Sequence, residues 1–354
     1  MPRSSRGGIY RVVCELFEVL AHDRHVELQA ALVTASGDES DFLFSGKHVV
    51  VAGTFPRKFV ALWRLAGGYD LIHLHGFTPW QALACWLARK KMVYTNHGLL
   101  GTGRPLAPHE HVKLVLMKLF LRHAVHRIIH VSQFMQQRMT QEYGVSLAKS
   151  VVVHNCTRWQ AQPPRFEPGA VWRLGFHGRF VSVKRIDRLL VVAALVSRQR
   201  TVEVVLVGEG PLQSKLEKQA GALGVMLHFV PYCAAAATAV SNFDVEIISS
   251  RDEALGLSAL EAIQAGHPTF VFADGGGLLE IFAGCAEWFV CRDETEMSQK
   301  ILRLADAEQR RQALRGLRRL QQRVNTRFSP QTFAAGYRRQ YFATAGRQRS
   351  EAAA

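Results

Sequence analysis

The sequence predicts an α/β protein made of two doubly wound domains, each around a parallel sheet, and three observations lead there. At 354 residues the chain is long for one core and ample for two. Short, continuously apolar runs alternate with longer stretches of helical spacing, the pattern of strands buried on both faces by crossover helices. The alternation breaks once, over a proline-containing segment near residues 157–170, and then starts again.

The first helix follows Gly7-Gly8: Val12, Val13, Leu16, Val19 and Leu20 recur at helical spacing up to Ala21. Residues 26–33, 49–52, 71–75, 92–95, 128–131 and 151–153 read as strands, and 57–65, 79–88, 109–125 and 132–142 as helices. The segment Trp159-Gln-Ala-Gln-Pro163-Pro164-Arg-Phe-Glu-Pro168-Gly has three prolines and no period, which predicts a linker. Beyond it, residues 174–176, 202–207, 227–230, 245–248, 269–272 and 288–290 read as strands. Helices are predicted at 185–199, 211–222, 256–265 and 293–304. In such domains ligands bind at the carboxyl ends of the strands.

Composition narrows the class. A hydrophobic fraction of 48% is ordinary for a globular protein, and no run approaches the ~18 apolar residues of a membrane span. Met1-Pro-Arg-Ser-Ser-Arg-Gly-Gly has no apolar run after its basic residues, so the expected place is the cytosol. Cys14, Cys85, Cys156, Cys233, Cys285 and Cys291 are scattered without a C-x-x-C pair, which predicts free thiols rather than a zinc site or disulfide scaffold. Lys and Arg number 44 against 29 Asp and Glu, a net +15, which points to a polyanionic partner: nucleic acid, an anionic membrane or a phosphorylated substrate. Residues 303–349 hold twelve arginines against Asp306 and Glu308, either a solvated helix face or an anion-binding one.

Two stretches carry candidate chemistry. At 249–266, Ser-Ser-Arg-Asp-Glu-Ala-Leu-Gly-Leu-Ser-Ala-Leu-Glu-Ala-Ile-Gln-Ala-Gly, a buried strand gives way to an acidic loop and then a helix opening at Gly256. Unpaired first-turn amides at Gly256, Leu257 and Ser258 suit an anion, and Gly256 lets it come close. Glu253 and Glu261, eight residues apart, suit sugar or ribose hydroxyls. The plainer alternative is a capped helix with Glu261 facing solvent. In Gly175-Phe-His-Gly178-Arg179-Phe-Val-Ser-Val-Lys184, cations at a strand end could neutralise a diphosphate without a metal, or be ordinary loop charge.

Taken together the C-terminal half resembles the family 4 retaining glycosyltransferases of GT-B fold. Gly178-Arg179 with Lys184 matches their G-R-x4-K element, and Val207-Gly-Glu-Gly-Pro-Leu their G-x-G-P strand end. Glu253 to Glu261 matches E-x7-E, with Ala-Gly-x-Pro268 following in register, and Gly276-Gly277-Leu-Leu-Glu280 matches G-G-x-x-E. In the N-terminal half Gly7-Gly8-Ile-Tyr-Arg11 resembles the family's glycine loop, and Asp70-Leu-Ile-His73-Leu-His75 its D-x-x-H-x-H strand. Thr95-Asn-His97-Gly resembles its T-x-H-G turn, and Val153-His-Asn155 its P-N-G element.

The resemblance implies two Rossmann-like domains facing across a cleft: 1–158 on the acceptor side, 170–327 holding the nucleotide-sugar, and 328–354 crossing back to the first. It implies that Arg179 and Lys184 hold the diphosphate, Glu261 the ribose and Glu253 the transferred sugar, with His97 beside that sugar. Gly8, Gly178, Gly256 and Leu257 complete the donor site. No metal or other cofactor is implied beyond a UDP- or GDP-linked sugar. The chain departs from the family in having no strand before the glycine loop, so the first domain is expected to lack its initial strand.

His73 and His75 alternate on a strand and share a face, where they could meet a metal, but no third ligand is evident and a packed pair is expected. On the 109–125 helix, His111, Lys118, Arg122 and His126 fall opposite Met117, Phe120, Leu121, Ala124 and Ile128. The pattern fits either core packing with a wet basic face or contact with an anionic membrane at its inner face through that helix, to residue 127, and the basic tail; the net charge favours the membrane.

The resulting expectation is a glycosyltransferase retaining anomeric configuration, acting on a glycan or lipid-linked acceptor in surface polysaccharide or lipopolysaccharide synthesis. A sugar-nucleotide epimerase of the same fold and a degenerate, non-catalytic basic binding protein are the alternatives. No nucleic-acid module is recognised, so nucleic acid is not expected as the partner.

Overall fold

The computed structural model describes residues 8–21, 23–33, 47–76, 78–98, 107–231 and 240–346. It forms two compact units, Met1–Cys156 with Pro330–Ala354, and Thr157–Ser329. Residues 1–7, which bear on the expected missing strand and include Gly7, lie outside the described residues, as does Cys233.

In the first unit β1 (Ala30–Val33) and β2 (His48–Val51) form a parallel pair. A second sheet joins β3 (Leu71–His75), β4 (Lys91–Asn96), β5 (Arg127–His130) and β6 (Ser150–Val152) in that order, all parallel. Its helices are α1 (Gly8–Leu20), α2 (Phe55–Gly67), α3 (Pro79–Leu87), α4 (Pro108–His123) and α5 (Gln133–Tyr143). Helices α2 to α4 each start with proline in the first turn, where its missing N–H leaves no bond unmade and its φ is already helical. On one side of β3 and β4, Ile72, Leu74, Met92 and Tyr94 pack with Leu62, Cys85, Met117 and Leu121 of α2, α3 and α4.

In the second unit six parallel strands run β12-β11-β10-β7-β8-β9. They are β7 (Trp172–His177), β8 (Val202–Val207), β9 (Met226–Val230), β10 (Val245–Ile248), β11 (Thr269–Phe272) and β12 (Val290–Cys291). Helices α6 (Ile186–Val196), α7 (Gln213–Leu223), α8 (Leu257–Ala265), α9 (Leu279–Phe282), α10 (Ala286–Phe289), α11 (Glu294–Arg303) and α12 (Ala307–Arg327) surround the sheet. Every residue of β10 and β11 is buried, Glu246 included, as expected of central strands covered on both faces. From β7 the chain builds outward through β8 and β9, then returns to β10 on the other side. The order therefore reverses at β7/β10, the place where an open α/β sheet leaves a ligand crevice at its carboxyl edge. Arg188 of α6 braces this half: it pairs with Asp274 at 2.8 Å and Glu294 at 2.6 Å, and lies over the Phe272 ring.

The last helix, α13 (Pro330–Ala345), belongs to the first unit and packs on α1, β3 and β4. It covers the side of β3 and β4 that carries His73 and Thr95. The basic tail is thus two separate helices. Leu317, Leu320 and Val324 bury one side of α12, and Arg347 and Arg349 lie outside the described residues.

Two expectations are corrected. The proline segment is not a free linker, because Gln162 and Arg165 donate their backbone N–H groups to the carbonyls of Gln264 and Gly266, and Phe166 is buried against Trp172. A side chain at Gly266, whose φ is +86°, would lie 2.6 Å from Pro163 O, so the segment sits directly on the end of α8. Residues 288–290 do not form a strand: 286–289 are helical, with Phe289 buried, and the strand is only Val290–Cys291. Among the described residues no helix is long and apolar enough to cross a membrane.

Candidate functional site

Two loops leave the carboxyl ends of the neighbouring strands β7 and β10, and hydrogen bonds tie them together. Arg251 N donates to Val183 O at 3.0 Å, and Ser249 Oγ donates to Lys184 O at 2.8 Å. This contact brings the Lys184 ammonium within 2.6 Å of Glu253 Oε2, with both side chains mostly buried. Burial would raise the Glu253 carboxyl, but Lys184, with smaller help from Ser250 and Arg179, overrides it and holds the group below its ordinary range. Arg179 is exposed, and its guanidinium hydrogen-bonds to no described side chain, so it is open to a ligand. The Gly276-Gly277 loop fixes Glu253 from the other side: Glu253 N donates to Gly275 O, and Gly277 N donates to Glu253 O at 2.8 Å.

Gly256 caps α8 in the left-handed region at φ +94°. A side chain there would overlap Leu278, so packing as well as access to the helix amides calls for glycine. Leu257, the first residue of α8, is partly exposed beside it. Gly178, at φ +145°, sits so close to Gly208 that a side chain on the latter would strike the Gly178 carbonyl. The glycines of the two motifs are therefore packed backbone on backbone. Sequence-predicted Arg179, Lys184, Glu253, Gly178, Gly256 and Leu257 all come from the β7 and β10 ends.

Glu261 behaves differently. It is only 2% exposed, on the inner side of α8, so the alternative of a solvent-facing carboxylate does not hold. Its Oε2 lies 3.0 Å from His177 Nε2, and the other ring nitrogen of His177 lies 2.5 Å from Glu246 Oε1. Glu246 Oε2 in turn meets His267 Nε2 at 3.1 Å. Burial alone would lower the His177 pKa, but the two carboxylates overcome that and raise it to about 10. Burial likewise opposes ionisation of Glu246, and the two histidines more than offset it, down to about 2. An imidazolium is thus clamped between two carboxylates, with the indole of Trp159 stacked on its face. Sequence reading missed His177, Glu246 and His267. The available signal was Glu246 itself, a charged residue inside the apolar strand Val245-Glu-Ile-Ile.

In the first unit His97 ends a chain of hydrogen-bonded rings. His97 Nε2 lies 2.9 Å from His75 Nδ1, and His75 Nε2 lies 3.2 Å from His73 Nδ1. His73 also meets the Tyr341 hydroxyl and Thr95 Oγ1, each at 2.7 Å, and Thr95 meets Tyr337 at 3.2 Å. Desolvation lowers all three histidines, His97 to about 4 and His73 to about 3, so the rings are neutral at ordinary pH. His73 and His75 do share a face, as the alternation implied, and their hydrogen bonds go to each other and to the last helix. Gly8 is exposed and is the first residue of α1 rather than part of a loop. An open groove of about 540 Å³ lined by Pro164, Phe166, Trp172, Arg200 and Arg310 contains none of these residues.

Comparison with known proteins agrees along the chain. Residues 6–158 match the family model described as Glycosyltransferase Family 4, and residues 158–316 the model described as Glycosyl transferases group 1. An uncharacterised glycosyltransferase, YqgM of Bacillus subtilis, is 30% identical over 220 residues, 59% of this chain and 60% of that protein. A D-inositol 3-phosphate glycosyltransferase of Actinosynnema mirum is 28% identical over 292 residues, 71% of this chain and 67% of that one. Among solved structures, Anabaena HepE in complex with UDP and glucose superposes with a TM-score of 0.77 at 17% identity, covering 96% of this chain and 97% of that one. That likeness shows a common fold. The chain spans 60% of the length of the Bacillus relative.

Proposed function

The chain belongs to the group 1, family 4 glycosyltransferases of GT-B fold, and from that premise we propose that it moves a sugar from a nucleotide-sugar to a hydroxyl acceptor with retained configuration. The observation that carries this reading is the pairing of Lys184 with Glu253 beside open Arg179 at the β7/β10 switch, three residues before the Gly256 that opens α8.

In this reading Arg179 and Lys184 take the diphosphate, whose leaving oxygen gains charge as the sugar–oxygen bond breaks. Cations already in place, with the Gly256 and Leu257 amides, stabilise that charge more than the ground state. Gly178 lets the phosphates approach the backbone, and Glu253, freed from Lys184 as the phosphates take over the ammonium, accepts from hydroxyls of the transferred sugar. Glu261 accepts from the ribose. His97 and Gly8, on the first unit, keep the roles the resemblance implies, at the transferred sugar and at the phosphates. No resident metal is required, because the two cations supply the positive charge.

The donor is a UDP- or GDP-sugar. That the HepE structure holds UDP makes the uridine series the first to try. The acceptor we propose is a glycan or lipid-linked glycan of cell-surface polysaccharide or lipopolysaccharide synthesis, met at the cytosolic face of the membrane; the net +15 charge favours that anionic setting. The test is thermal-shift screening with UDP, GDP, ADP and their sugar conjugates, then transfer assays with NMR of the product anomer. A shift with one nucleotide, reduced in Glu261→Ala, supports the site. A folded sample that no nucleotide shifts overturns it.

A further inference from the structure

We propose that the outer side of α2, α3 and α4 is a docking surface for an anionic lipid bilayer. The sequence suggested a basic face on α4. The structure instead exposes an apolar stripe there: Val112, Val115, Leu116 and Leu119, at i, i+3, i+4 and i+7, are 61%, 56%, 40% and 48% exposed. Met117 and Leu121 on the opposite side fill the core, so α4 is apolar on both sides, with its cations between the stripes.

The neighbouring helices repeat this. On α3, which packs between α2 and α4, Leu83, Trp86 and Leu87 are exposed at i, i+3 and i+4. On α2, Val60 and Trp63 are exposed. Exposed apolar residues gathered on three neighbouring helices mark a binding face. What covers it follows from charge. Each helix brings three Lys or Arg residues, counting the Arg89-Lys90-Lys91 run after α3, and the one acid is Glu110. Its carboxylate is already engaged, accepting from the Ala107 amide at the start of α4.

Apolar residues with two tryptophans, rimmed by cations and nearly free of acids, fit the headgroup boundary of an anionic membrane, where rings and stems bury and ammonium groups meet phosphates. The docking stands apart from transfer chemistry. Only its purpose, presenting the enzyme to a lipid-linked acceptor, rests on the reading above.

The test is flotation of the full chain with vesicles of phosphatidylcholine alone or with about a third phosphatidylglycerol. Binding to the anionic vesicles, weakened by salt, is expected. The double variant Val115→Asp, Leu119→Asp changes exposed residues only and should lose on the order of tenfold or more in partitioning, because charges must then enter the boundary. Lys113→Glu with Arg64→Glu should lose binding chiefly to anionic vesicles. Nucleotide-induced thermal shifts of these variants should stay as in the wild type, which separates loss of docking from loss of the donor site. No flotation of the wild type overturns the proposal, as does unchanged flotation of the double variant. Dimerisation abolished by Val115→Asp, without lipid binding, would assign the face to a second copy instead.

Discussion

His177 Nε2 lies 3.0 Å from Glu261 Oε2 and His177 Nδ1 lies 2.5 Å from Glu246 Oε1, so one buried imidazolium sets the carboxylate that the donor-site reading assigns to ribose. The hydrogen bond to the ring fixes the plane of the carboxylate. The position of Glu261 is therefore set by His177 of β7, 84 residues earlier in the chain, on the strand that pairs with β10.

Removing the middle of this triad should be severe. His177→Ala takes the shared imidazolium away from Glu246 and Glu261, and we expect a loss of ~3–5 kcal/mol in urea unfolding, the usual effect of removing one partner from a buried charge pair. Adding Glu246→Gln should restore part of it. If the double variant is no more stable than His177→Ala alone, the unpaired charge is not the cause.

Titration should separate the two units. His177 has a folded pKa raised to about 10 above the ordinary 6.5, so its contribution is fully present below 6.5 and is lost as pH rises through about 10. His97 and His73 are lowered to about 4 and about 3, so below pH 6.5 the unfolded chain binds protons that the folded one refuses. Their contribution is present above 6.5 and is lost as pH falls towards 4. Hydrogen exchange should therefore show the first unit loosening selectively between pH 6.5 and 4.5, and the second between pH 8 and 10. Equal loosening of both units at either end would count against these assignments.

Lys184→Ala tests the donor site. It should lower transfer by about 10²–10³-fold, the range seen when one preorganised donor to a developing charge is removed. The Glu253 carboxyl, now without its ammonium, should titrate higher than in the wild type. Arg188→Ala is the control: it breaks pairs with Asp274 and Glu294 and should lower stability while leaving nucleotide affinity of the folded protein nearly unchanged.

Gly256→Ala should destabilise by ~1–3 kcal/mol, from a strained positive φ and overlap with Leu278. Leu278→Ala in the same chain should recover the overlap part but not the strain part, which a double-mutant cycle in chemical denaturation reads directly. Additive effects would mean that Leu278 simply moves aside.

Much of this protein was legible beforehand. Strands at 202–207, 245–248 and 269–272 stand where apolar runs predicted them, because a strand buried on both faces is built mostly of apolar residues. Residues 288–290 misled, since a short apolar run does not by itself distinguish strand from buried helix. The triad was not foreseen because nothing local links His177, Glu246 and Glu261, which are separated by 69 and 15 residues along the chain and meet only across the sheet.

By itself, then, the sequence determined the alternation of elements, the glycines at sharp loops and the types of charged group at the β7 and β10 ends, all of which depend on neighbours along the chain. Tertiary structure decided which side of each element is covered. Periodicity tells which residues of α4 share a side, but only the packing of Met117 and Leu121 into the core left Val112, Val115, Leu116 and Leu119 facing outward. It also decided that Glu261 faces His177 rather than water, because a buried charge stays where an opposite one is held to meet it.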